Sequence, residues 1–303
     1  MGRLGCLCIL SLLGCPLTPT KSVEQTNVEP PSQTKVGASH AEPERPRTKD
    51  RGSSYDIAHR FAYRGQELVV KLSIDKQKLE RAIASYGIPR GQEQFPDPLS
   101  DDLLKQRQVS AKLQAIDILR RGEQVFIRPD FRLLSLRAEA ELSEVHRTLL
   151  AMDVAQKLDQ RDLAEFFLAF VQSFQIADPP RYRRHPDGHE VLVAGVRPGL
   201  ETVYLGQGDC DTLSVVLGAL LRRSKVDVLY LLGSLDGVPH MFLGALLAPR
   251  SGDLIIPVDR QNYIVFETTA RYAGGPMPEA VRAQLRNKAF EVVDLDPVSP
   301  VIR

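Results

Sequence analysis

One segment constrains the fold of this chain more than any other: GQGDCDTLSVVLGALLRR, residues 206–223, a glycine-rich turn that runs into an apolar helix with a cysteine at its start. Leu213, Val216, Leu217, Leu220 and Leu221 recur at helical spacing. Arg222 and Arg223 fall in the last turn, where cations suit the negative end of the helix dipole. Four apolar, β-branched stretches follow: VDVLYLLG, HMFLGALLA, DLIIPV and NYIVFETT. One helix followed by several strands that pair antiparallel predicts an α+β domain. Upstream, RDLAEFFLAFVQSF (161–174) predicts a second core helix, with Leu163, Phe166, Phe167, Phe170, Val171 and Phe174 on one stripe.

The region before it is read as a lead-in of hairpin and helices. HRFAYRGQELVVKLSI (59–74) alternates around Arg64-Gly65-Gln66 and predicts a β-hairpin. A short helix follows, with Asp75 as N-cap and Gly87 as its stop. Residues 101–121 and 135–158 read as two longer helices separated by GEQVFIRPDF. Residues 16–53 hold six prolines, many Ser, Thr, Glu and Lys, and no aromatic residue, which predicts a disordered tether. The first fifteen residues, MGRLGCLCILSLLGC, have Arg3 ahead of an apolar run and read as a targeting segment too short to span a bilayer. LLGC looks like a bacterial lipobox, which would lipidate Cys15; ordinary signal cleavage is the alternative. The boundaries are therefore leader 1–15, tether 16–53, lead-in 54–158 and a C-terminal domain 159–303. A membrane is then a partner through the anchor, and the location is the exported side of a bacterial envelope.

The chain has four cysteines, Cys6, Cys8, Cys15 and Cys210. With the leader removed and Cys15 lipidated, Cys210 is left with no intrachain disulfide partner. A thiol at a helix N-terminus feels unpaired backbone N–H groups and the positive dipole end, both of which favour thiolate. Asp209 and Asp211 push the other way. Gly206 and Gly208 allow close approach of a substrate, and the Cys210 N–H is placed to donate to an oxyanion.

A nucleophilic thiol needs a base. Of six histidines, His40 lies in the tether, His59 and His146 on structural segments, and His185 and His189 in the loop HPDGH. His240, at the start of an apolar strand after Gly-Val-Pro, is the candidate base and then acid. Glu267, at the end of another strand, is the candidate orienting acid, with Asp259 in PVDRQN as its competitor.

TVYLGQGDCDTLSVVLGALLRR, HMFLGALL and YIVFETTARYAGG resemble the Cys, His and acid blocks of the transglutaminase-like superfamily, in its prokaryotic cysteine-proteinase-like branch. The likeness covers roughly residues 160–278 in three ordered blocks. It implies a papain-like core, a cysteine-bearing helix packed on an antiparallel sheet, with Cys210 as nucleophile, His240 as base and Glu267 as orienter. Thr212 stands where related sequences often carry a second acidic residue, and this chain has no Trp. Gln207, Tyr204 and Gly208 are the further candidates for oxyanion or substrate contacts.

The reaction these residues imply is attack on an amide or peptide bond through an acyl-enzyme, with hydrolysis favoured over transfer to an amine. A cross-linker, an acyl transferase and a non-catalytic binding module keeping the fold are the alternatives. The partner is a protein or peptide substrate. No cofactor and no metal is required: two histidines in HPDGH are a poor ligand set, and helix capping accounts for Asp209 and Asp211 without calcium. A net charge of +1 gives no reason to invoke nucleic acid.

Overall fold

In the computed structural model, which describes residues 46–96, 99–185, 188–235, 237–269, 277, 279–286 and 290–295, the chain enters along the edge of a small sheet. β1 (Arg47–Asp50) pairs antiparallel with β2 (Ser54–Tyr63), which pairs with β3 (Gln66–Asp75). Arg64 and Gly65 both take positive φ, 48° and 78°, and close the hairpin the alternation predicts. β1 corrects the tether reading for residues 47–53. Thr48, Lys49 and Asp50 are polar and exposed on this edge, so composition could not separate it from a disordered segment. Lys76 Nζ donates to Asp50 at 2.7 Å and ties that edge down. The leader, and Cys15 with its proposed lipid, lie outside the described residues.

α1 (Lys76–Ala84) starts where expected, with the Asp75 carboxylate accepting from the Lys78 N–H at 2.8 Å. β4 (Ile88–Pro89) and α2 (Asp101–Lys112) follow. The predicted helix over 101–121 is corrected. α2 stops at Lys112, Ala115 turns to a φ of 54°, and β5 (Ile116–Arg121) pairs with β6 (Gln124–Pro129). Ile116 and Ile118 are buried on one side of β5 with period two, a pattern that six residues show too briefly to override helix propensity. The predicted helix over 135–158 is also divided, into α3 (Phe131–Glu141), α4 (Ser143–Leu150) and a short 3-10 turn at Ala155–Lys157. Leu142 leaves helical geometry between them and is fully buried. The break lets α3 pack on the cysteine helix while α4 packs on β3.

α5 (Gln160–Gln172) is the predicted aromatic helix; Phe166, Phe167 and Phe170 are fully buried, and Leu163 sits at the edge of the same core. β7 (Gln175–Ile176), β8 (Tyr182–Arg184), β9 (Glu190–Leu192), α6 (Gly199–Leu205) and β10 (Gln207–Gly208) lead into α7 (Cys210–Arg223). Every α7 residue from Thr212 to Arg222 is buried. β11 (Val228–Leu235), β12 (Val238–Ala245), β13 (Ile255–Val258), β14 (Gln261–Phe266), α8 (Glu279–Leu285) and β15 (Glu291–Asp294) complete the described chain. These five strands form one antiparallel sheet in the order β13-β14-β12-β11-β15, with α7 against β11 and β12. The fold is mixed α and β, as the sequence implies. Ile57 and Phe61 of β2 share one continuous core with Phe170 of α5 and Leu213 of α7, so the core crosses the 158/159 boundary. Among the described residues no helix is long and apolar enough to cross a membrane.

Two histidines belong to this core. His59 Nε2 donates to the Val203 carbonyl at 2.8 Å, and its ring stacks on Phe174. His146 Nε2 bonds the Ser224 hydroxyl at 2.8 Å. Burial pushes both imidazoles down from 6.5 to about 4, with Arg223 adding to the effect at His146. Each is neutral when folded and takes a proton near pH 6.5 when unfolded. The stability they contribute is complete above that value and is lost as pH falls toward 4, roughly 3 kcal/mol each over the whole window. Urea unfolding midpoints are therefore expected to drop between pH 7 and 5, less steeply in His59→Gln and His146→Gln. An equal drop in both variants contradicts this account.

Candidate active site

Asp209 makes the start of α7 where it is: its carboxylate accepts from the Thr212 N–H at 3.0 Å and caps the helix. The turn ahead of it is pinned to the end of α5. Gln175 N–H donates to the Gly206 carbonyl at 2.8 Å and Ala177 N–H to the Gly208 carbonyl at 3.1 Å. Gly206 adopts a φ of 61°, and a Cβ there would lie 2.7 Å from Pro46 and 2.9 Å from His59. Only glycine fits this junction, where the chain's entry segment meets the turn before the cysteine. Cys210 is thus delivered, partly exposed, to the N-terminus of the most buried helix in the fold.

His240 sits on β12 opposite Gly233 of β11, with its ring edge-on to Phe242 at 4.6 Å. The β12–β14 ladder runs only from Ala245 to Leu243, so β12 is free of that neighbour where His240 emerges. Glu267 is the first residue past the end of β14 and is 2% exposed. Its Oε2 lies 2.5 Å from His240 Nε2. The acid's backbone is held from α5, since Gln172 Nε2 donates to the Glu267 carbonyl at 2.7 Å. Arg161, at the other end of α5, pairs with Asp253 at 2.7 Å and lies over the Phe266 ring at 5.1 Å. Next in sequence, the Thr268 hydroxyl meets the Ser214 hydroxyl at 3.3 Å and the Cys210 carbonyl at 3.5 Å, joining the acid's strand to the first turn of α7.

The structure therefore joins two of the three predicted site residues directly and brings the third to the same corner. Among the described residues the Cys210 thiol bonds Asp211, with Sγ 3.3 Å from Oδ1, and not His240. Burial, and then the Asp211 charge, push the thiol far above its ordinary range. The Met241 backbone N–H, the residue after His240, favours the thiolate but is outweighed. The helix N-terminus expected to activate the thiol is thus overridden at rest by desolvation and an adjacent carboxylate. Asp211 is itself raised to about 6, by burial first and then by Asp209, while its bond to Cys210 and the nearby His240 oppose the shift. Burial raises Asp209 as well.

The remaining sequence candidates fall differently. Asp259 lies in the β13–β14 turn with a φ of 47°, and it is Glu267 that bonds the histidine. Tyr204 packs its ring on Tyr55 at 4.8 Å, and the charges that act on it are Asp50 and Lys76, which places it against the N-terminal sheet. Gln207 and Gly208 form β10, whose backbone pairs with Gln175 and Ile176. His185 and His189 stack face to face at 4.4 Å, and among the described residues no His, Cys, Asp and Glu cluster is arranged to hold a metal. Sequence reasoning gave no role to Gln172, Thr268 and Thr269: the contacts of Gln172 and Thr268 are tertiary, while Thr269 bonds Glu267 two residues back, for which the ETT triplet at 267–269 was the visible hint. No family model, no curated protein and no solved structure matches this chain.

Proposed function

We propose that this protein is a thiol hydrolase of transglutaminase-like type, with a papain-like core, that cleaves an amide or peptide bond through an acyl-enzyme on Cys210. The observation that carries the reading is the His240–Glu267 pair at 2.5 Å, with Glu267 buried just past β14, His240 half-buried near the start of β12, and Thr268 tying the acid to the cysteine's own helix turn. Glu267 occupies Nε2 and leaves Nδ1 as the basic nitrogen. In the reaction the thiol proton passes to Nδ1 as sulfur attacks the substrate carbonyl. The Cys210 N–H, one of the unpaired donors of the α7 N-terminus, faces the developing oxyanion. Collapse expels the amine, which takes the proton from His240, and leaves a thioester. Water, deprotonated by the same nitrogen, then releases the acid and restores the thiol. An amine in place of water gives the cross-linking or acyl-transfer variant. The leader, the lipid on Cys15 and the tether belong to the same proposal: a bacterial envelope enzyme held at a membrane and acting on protein or peptide, with no cofactor.

Because the resting thiol is protonated, the base is used during attack and not to hold a standing ion pair. The full chain treated with p-nitrophenyl acetate is expected to release one equivalent of p-nitrophenolate in a burst and carry the acetyl group on Cys210, located by mass spectrometry. Cys210→Ala loses the burst, and His240→Ala slows it by about 100-fold or more. Acylation no faster than that of a free thiol would sink the hydrolase. The held-down thiol would then favour a binding module that keeps the fold.

A further inference from the structure

Glu267 is a buried carboxylate, and every lone pair it exposes must find a donor. Oε2 faces His240 Nε2. Oε1 receives two donors from one residue, the Thr269 N–H at 2.6 Å and the Thr269 hydroxyl at 2.6 Å. That arrangement has a consequence for where protons sit. An amide N–H cannot accept, so a proton on Oε1 would break its bond to Thr269. A proton on Oε2 would point at Nε2, force the imidazole proton onto Nδ1, and block the nitrogen the proposed reaction uses as base. With both donors aimed at Oε1, the charged carboxylate is the form the site satisfies fully, and the ring proton is drawn to Nε2.

We infer that Thr269 is a positioning residue that holds Glu267 charged and thereby sets the tautomer of His240, Nε2–H with Nδ1 bare. The inference rests on the hydrolase reading for its purpose but not for its test. Thr269 acts through Glu267, to which both its N–H and its hydroxyl donate. Its side chain is the variable part of the clamp, since any residue at 269 supplies the N–H and only a hydroxyl supplies the second donor. Thr268, by contrast, points to Ser214 and the Cys210 carbonyl and has no part in the tautomer.

The test is nuclear magnetic resonance of the imidazole nitrogens in the full, 15N-labelled chain at neutral pH, which reports the tautomer whether or not the protein is an enzyme. The unaltered protein is expected to show His240 as Nε2–H. Thr269→Val, which keeps shape and removes the hydroxyl, is expected to show a mixture with Nδ1–H; Thr269→Ser restores the native pattern. Acylation of Cys210 falls about tenfold in the valine variant and returns with serine, the size set by one hydrogen bond to a charged group. A native tautomer in folded Thr269→Val overturns the inference, as does an Nδ1–H ring in the unaltered chain. Should the valine variant fail to fold, the unaltered chain still decides through that ring signal and the Thr269 amide proton, which must be shifted far downfield by its bond to Oε1. Native chain that shows the Nε2–H ring but no acylation burst removes the hydrolase reading and leaves the Thr269 clamp standing.

Discussion

Glu267→Gln is expected to cut Cys210 acylation by about 10³–10⁴-fold while the protein still unfolds cooperatively. The loss follows from donor arithmetic. A carboxylate accepts from His240 Nε2–H through one oxygen and from both Thr269 donors through the other. An amide has one acceptor and one donor end. If its oxygen serves Thr269, its NH₂ faces Nε2 and drives the ring proton to Nδ1, where the base should be empty. If it turns round, its NH₂ meets the Thr269 N–H and hydroxyl at close range inside the fold. Acylation kinetics beside a thermal melt separate the two cases, since the first costs rate and the second costs stability as well. A variant with native rate and native melting would remove Glu267 from the site.

Asp211→Asn is expected to act in the opposite sense on both counts. Removing the charge that helps hold the Cys210 thiol protonated lowers the thiol's proton affinity, so iodoacetamide labelling of Cys210 at pH 7 speeds up by about tenfold or more. Stability should rise too. The Asp211 carboxyl titrates at about 6 in the fold against 3.8 in the unfolded chain. Between those values the folded state holds a proton that the unfolded state has released, so stability is full below pH 3.8 and is lost as pH rises through about 6. The asparagine chain escapes that loss, a gain of roughly 3 kcal/mol at most above pH 7, reduced by Asp211's partial exposure to water. Melting should be nearly alike in the two proteins at pH 4, diverge as pH rises from 4 to 6, and stay apart by a constant amount above that. Divergence at pH 4 instead, or slower labelling, contradicts the charge assignment.

The three candidate residues could be named from the sequence because each sits on a strong local signal: Cys210 at a capped helix start, His240 and Glu267 near ends of apolar strands. The residues alone left Asp259 open beside Glu267; the resemblance implied Glu267, and it is Glu267 that bonds His240 while PVDRQN forms a turn. What was not legible is tertiary. The sequence shows that the Asp211 charge opposes a Cys210 thiolate, but not that burial of the thiol would add to that charge and outweigh the helix N-terminus. Gln172 looks like the polar side of an aromatic helix until the Glu267 carbonyl, just past β14, is brought to it. The two fold errors share a cause. Arg47–Asp50 is an edge strand whose Thr48, Lys49 and Asp50 are all exposed, and Ile116–Arg121 is too short for its alternation to compete with the helical run before it.

The burial of α7 on every side also ranks the ways this molecule can open. Amides of Leu213 to Leu221 have no route to solvent short of disrupting the core they share with β2 and α5, so their hydrogen exchange should report the global unfolding free energy. β1, an exposed edge, lies at the other end of that scale and can exchange by local release. Thermal breathing therefore begins beside Pro46 and Gly206, at the turn leading to the thiol, while the platform that carries the thiol is among the last parts to move.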